Sequence, residues 1–139
     1  MSGWDGADGA YDAHGMPHVT KVVRKPRGVG AEMKAIGCGR SGIIWKLDLL
    51  EGQEREALKQ HNAEYGAGTG VCLRLAAHLQ RSGRIIVGDS AFSSVKTCMA
   101  LWRSLGLYFI GIVKTAHFHY PKLFFTNWHR DYPNLPRGI

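Results

Sequence analysis

The sequence predicts an α/β fold, and three observations carry that prediction. Residues 31–36 and 43–50 alternate apolar and polar side chains on either side of a Gly-rich turn, the pattern of an antiparallel hairpin. Residues 84–89 and 107–113 are apolar runs that flank a stretch of helical periodicity, 93–105, so strand, helix and strand make one right-handed crossover unit. Between hairpin and crossover, Cys72, Leu75, Ala76 and Leu79 share one helical face.

Residues 1–18 are polar and Gly-rich, without helical or strand periodicity, and read as loop. Asp5, Asp8 and Asp12 lie there but lack the spacing and closing Glu of a calcium loop. Lys21, Arg24, Lys25 and Arg27 then cluster around Val22-Val23 and Pro26. A basic run broken by proline is exposed, and it either grips phosphates or is simply solvated. In the hairpin, Ile43, Trp45, Leu47 and Leu49 fall on one face. Lys46 and Asp48 fall on the other, where they read as a surface pair.

Residues 53–64 are charged throughout, with Glu51 and Arg55 at helical spacing, and read as a surface helix or a connection. The glycines of 66–70 open the next helix, and 81–83 stop it. Val95, Cys98, Met99, Trp102 and Leu105 form the stripe of the crossover helix, with Gly106 at its end. After Val113 the pattern dissolves. Pro121, Pro133 and Pro136 predict an irregular tail over 122–139, beyond a domain of 1–121.

At 139 residues the chain suits one domain with a modest core, and a hydrophobic fraction of 45% excludes global disorder. Eighteen basic against eleven acidic residues give +7 and a pI near 9.6. That surplus favours a polyanionic partner, nucleic acid first and an anionic membrane second. Cys38, Cys72 and Cys98 form no Cys-x-x-Cys pair, which argues against a zinc ribbon or a disulfide framework. Cys72 and Cys98 read as small core residues. The first ten residues are not a signal peptide, and no apolar run approaches the ~20 residues that span a bilayer. The chain therefore reads as soluble and intracellular.

Asp89 is the leading candidate for chemistry. It ends an apolar strand, the place where open α/β sheets put their ligands. The alternative is that it caps the following helix through a backbone N–H. The 66–70 loop has the glycines of a phosphate cradle, with an acidic residue about 20 positions later as in dinucleotide folds. Its third fingerprint position holds Val71, however, and the segment before it is charged, so a plain helix entry is the preferred reading. His117 and His119 alternate and could share a metal on a strand, but a zinc site wants three or four ligands and no third is evident. Phosphate contact and plain exposure are the alternatives. Ser90 lacks the Gly-x-Ser-x-Gly elbow of a serine nucleophile. Asp89, even with Asp48 or Glu51, falls short of the oxygen ligands that two-metal phosphoryl transfer needs.

Four motifs appear in order: Lys25-Pro26-Arg27-Gly28-Val29-Gly30, then Gly83-Arg84-Ile85-Ile86-Val87-Gly88-Asp89-Ser90-Ala91-Phe92, then Gly111-Ile112-Val113-Lys114-Thr115, then Tyr120-Pro121. Together they resemble the transposase domain of piggyBac-type transposable-element-derived proteins, over most of residues 15–121. The resemblance implies a ribonuclease-H-like mixed sheet, here lacking its first strand and its last catalytic helix. It implies DNA strand transfer by three aspartates with magnesium, no other cofactor, and a nuclear location. Asp89 matches the second aspartate and would be a metal ligand. By the family's pattern the first falls upstream of Met1 and the third beyond Ile139, so the chain reads as a piece of a catalytic core that is inactive alone. DNA is the implied partner, and Lys21, Arg24, Lys25, Arg27, Lys114 and His117 are the candidate phosphate contacts. Two rival readings are a non-catalytic DNA-binding or interaction domain that keeps the fold, and a nucleotide-binding enzyme built on the 66–70 loop.

Overall fold

The computed structural model describes residues 20–21, 29–114 and 120–134. The alternating segments form the expected hairpin. Strand β3 (Met33–Gly37) pairs antiparallel with β4 (Ile44–Leu49), placing Lys34 opposite Asp48 and Ala35 opposite Leu47. Gly42, at φ 71, turns the chain, and its N–H donates to the carbonyl of Cys38 at 2.8 Å. Ahead of the hairpin, β1 (Thr20–Lys21) and β2 (Val29–Gly30) make a short antiparallel ladder.

The hairpin's orientation corrects the sequence reading. Its apolar face is turned outward, with Leu47 52% exposed. The face bearing Ile36 and Asp48 packs inward, Ile36 against the core and Asp48 against charged partners on the helices. Asp48 is therefore not a surface partner of Lys46, whose ammonium instead donates to the carbonyl of Arg74 at 2.8 Å. The cations that reach Asp48 compensate its desolvation, and alternation alone cannot reveal them.

Helix α1 (Gln53–Leu58) is short and has no buried residue, as its charged sequence implies. Helix α2 (Asn62–Ala76) starts before the glycines and kinks at Gly66, whose φ of 75 and ψ of 162 are non-helical. A 3-10 turn, Ala77–Leu79, completes it. Strand β5 (Ile85–Gly88) leads to α3 (Val95–Ala100), which runs into a π-helical turn, Leu101–Leu105. Gly106 ends it in the left-handed region at φ 63. Strand β6 (Tyr108–Gly111) then pairs parallel with β5, so the predicted crossover forms.

The core lies between the helices and one face of this ladder. Leu73, Ala76 and Leu79 meet Ala100, Leu101, Leu105 and Leu107, with Ile86 and Phe109 of the strands packed against them. The other face, Ile85, Val87, Tyr108 and Ile110, is exposed. The class is mixed α/β as expected, with antiparallel and parallel pairs in separate ladders. Among the described residues no strand bridges β3 and β5. A cavity of about 60 Å³ lies there, lined by Ala35 and Ile36 on one side and Ile86, Val87 and Gly88 on the other. The arrangement is compatible with a partial ribonuclease-H-like fold.

The irregular tail is corrected too. Residues 122–131 form a helix, α4 (Lys122–Asp131). The prolines bracket it instead of breaking it. Pro121 stands at its N-cap, where a missing N–H costs no intrahelical bond, and Pro133 follows its end.

Candidate active site around Asp89

Asp89 follows β5 directly and is exposed at the carboxyl end of the parallel ladder. Its Oδ1 accepts the N–H of Ala91 at 2.8 Å, which folds the chain into a side-chain-closed turn. Its backbone carbonyl accepts from Phe92 at 3.2 Å and Ser93 at 3.0 Å. The helix cap is a different residue: Ser94 Oγ accepts the N–H of Thr97 at 3.0 Å. Asp89 is thus a turn-former, and the cap that sequence could have assigned to it belongs to Ser94.

Ser93 anchors this turn from beneath. Only 2% exposed, it places Oγ 2.6 Å from the carbonyl of Asp89 and 3.1 Å from that of Gly88, so one proton serves two acceptors. Room for it comes from two glycines that face each other across the ladder, Gly88 and Gly111. A Cβ on Gly111 would stand 2.0 Å from Ser93 Oγ, and one on Gly88 would stand 2.8 Å from the Phe109 ring. Ser93 and Gly111 were not candidates from sequence, because their contact spans the whole crossover. A small-residue pair at matching strand ends was the available signal.

Beside the turn lies a polar hollow of about 180 Å³, lined by Gly68, Thr69, Ser90 to Ser94, and Thr97. Thr69 and Thr97 hydrogen-bond across its floor, Oγ1 to Oγ1 at 3.0 Å. Gly68 to Gly70 belong to the body of α2, preceded by α1 and not by a strand. The strand, glycine turn and helix of a dinucleotide loop are therefore not the context here, which corrects the nucleotide-enzyme reading.

A second, larger charge cluster lies away from Asp89. Asp48 Oδ2 accepts from Arg74 Nε at 2.7 Å and Oδ1 from Lys59 Nζ at 3.0 Å. Lys59 also meets Glu51 at 3.1 Å and Glu56 at 2.6 Å. Arg74 Nη1 donates to Asn62 Oδ1 at 2.7 Å, in space left by Gly70, where a Cβ would stand 2.1 Å from that oxygen. Burial pushes the Asp48 carboxyl up, but the hydrogen bonds from Arg74 and Lys59 outweigh it and hold it below the usual range. Burial likewise pulls Lys59 down, and Glu56, Asp48 and Glu51 raise it above its ordinary value. These carboxylates are consumed by cations and tie hairpin to helices.

Of the candidate phosphate contacts, Lys21 lies on β1 and Lys114 is exposed three residues past the end of β6. Lys114 and Asp89 thus leave the same end of the parallel ladder, where Gly88 pairs with Gly111. Arg24, Lys25, Arg27 and His117 lie outside the described residues, as do Asp5, Asp8, Asp12 and His119. Cys72 is buried, as expected, and burial pushes its thiol up to about 11. Cys98 is half-buried. No helix among the described residues is long and apolar enough to cross a membrane.

With the geometry in place, comparison with known families is decisive. The family described as Transposase IS4 matches residues 14–135. The chain belongs to this transposase family. DNA is the substrate of such transposases, and the family generally uses a divalent metal. No curated protein and no solved structure matches the chain. The match also takes in α4, so the helix is part of the family's segment and not an appendage.

The described residues do not by themselves fit a divalent metal site. Among them, no group of three or more His, Cys, Asp or Glu side chains converges. Asp89 can offer carboxylate oxygen at an exposed strand end, but one carboxylate leaves nearly the whole shell of a hard cation to water.

Proposed function

We propose that the chain is part of the catalytic core of a piggyBac-type transposase, with Asp89 as the second of three metal-binding aspartates. One observation carries this reading: Asp89 stands at the carboxyl end of a parallel strand, in a turn held by Ser93, within a chain matched to a transposase family over 14–135. The open groove between β3 and β5 also supports it, since a strand ending in a further carboxylate would fit beside Asp89. Magnesium would be the metal, and DNA in the nucleus the substrate. Lys21, Arg24, Lys25, Arg27, Lys114 and His117 would hold phosphates beside the reacting strand. This piece alone supplies too few ligands for strand transfer, so we expect DNA binding without cleavage.

The experiment is a duplex-DNA titration at two salt concentrations, together with a nicking assay in magnesium. Affinity should fall steeply with salt, because phosphate contacts release counterions. Binding that is absent at low salt, or indifferent to salt, overturns the DNA assignment. Robust magnesium-dependent nicking abolished by Asp89→Asn would show instead that the other ligands are supplied within this chain. A second reading, a non-catalytic DNA-binding domain, is favoured by the lone placement of Asp89. Extending the chain upstream and downstream separates the two: only the first gains activity.

A further inference from the structure

Two apolar surfaces of this chain have no partner within it. The first is the outer face of the parallel ladder. The register pairs Ile85 with Tyr108 and Val87 with Ile110, and all four are more than half exposed. None carries a charge. The second is α4. At 100° per residue, Phe124, Phe125, Trp128 and Tyr132 fall within about a third of the helix circumference. Lys122, Asn127, His129, Arg130 and Asp131 occupy the rest with Leu123 and Thr126. No residue of α4 is buried, so the helix stands away from its own ladder. A ten-residue helix with nothing packed on it is marginal in water. Something must therefore cover its aromatic stripe for it to persist.

We propose that the occupant is a second copy: each copy's α4 lays its aromatic stripe on the other copy's β5–β6 face, in a two-fold dimer. The two surfaces match in size. A ten-residue helix is about 15 Å long, and the four-residue strands of the ladder span about 13 Å. Ten residues, 112–121, separate β6 from α4, enough to carry the helix about 33 Å from its own sheet. The exchange is self-complementary, so two contacts form in one closed assembly and no apolar face remains to nucleate fibres. The basic side of α4 stays outward, where Lys122, His129 and Arg130 remain hydrated. The dimer also places two Asp89 turns in one particle.

Light scattering coupled to gel filtration on the full chain reads this directly. The expected mass is twice the 15.4 kDa of one chain. Ile110→Lys on the ladder and Trp128→Ser on the helix each alter an exposed position, so neither should change the fold seen by circular dichroism. Each should weaken dimerisation at least about tenfold. Mixing the two variants restores one intact helix-on-ladder contact and should regain dimer that neither forms alone. A monomer overturns the proposal, and slow amide exchange over 122–131 in that monomer would place α4 on its own ladder instead. A dimer that ignores both substitutions, or a mixture with no gain, also overturns it.

Discussion

Asp48 and Asp89 each stand at or next to the carboxyl end of a strand, and their surroundings put them to opposite uses. Asp48 has a side chain only 13% exposed and two cations within 3.0 Å. Asp89 is exposed, and its side chain takes a single backbone N–H from the described residues. The difference lies in what approaches from elsewhere in the chain. Arg74 and Lys59 reach Asp48 from α2 and the end of α1, whereas the turn after β5 brings only hydroxyls and amides near Asp89. A carboxylate matched by buried cations holds a fold together. One left facing water at a strand end is free to bind something else.

The contrast breaks most severely at Asp48. Asp48→Ala leaves Arg74 and Lys59 as half-paired cations in a largely buried setting, where Arg74 Nη2 already has no hydrogen-bond partner among the described residues. Removing one member of such a pair costs about 3–5 kcal/mol, to be read as a lowered urea midpoint. A loss below about 1 kcal/mol would mean that the cluster is effectively solvated.

The next effect is pH dependence. The folded value of Asp48 is lowered, so its contribution is complete above the unfolded value near ~3.9 and is lost as pH falls through the folded one. The folded value of Lys59 is raised, so its contribution is complete below ~10.4 and is lost as pH rises through the folded one. Thermal stability should therefore be level around neutrality and fall at both extremes. In Asp48→Asn the acid limb should be shallower, and an unchanged limb would assign acid unfolding to other groups.

The smallest effect is expected at Asp89. Asp89→Asn keeps an oxygen for the Ala91 N–H, so stability should change by no more than about 0.5 kcal/mol. A large loss would make Asp89 a structural residue like Asp48 and remove the reason to regard it as a site.

The crossover was legible because its strands are apolar and its helix has a clear stripe. Asp89 was legible because it ends such a strand and because the motif around it resembles the family's. Sidedness was not legible. Ile86 packs inward while its neighbour Val87 is 76% exposed, and two adjacent aliphatic side chains give no sign of which face is covered. The role of Asp48 was hidden because Arg74 lies 26 positions away. Helix α4 was hidden because proline was read as a breaker, although the two prolines mark its boundaries.

Ser93 and Gly111 share one volume under the Asp89 turn. The position of a β-carbon at 111 is already occupied by the hydroxyl of 93. Neither residue can therefore vary alone: a side chain at 111 requires the one at 93 to shrink or leave, and the turn's anchor goes with it. Across a set of related chains these two positions should change together. A lineage that has gained a bulky residue at 111 should also have released its constraint on the residue at 89.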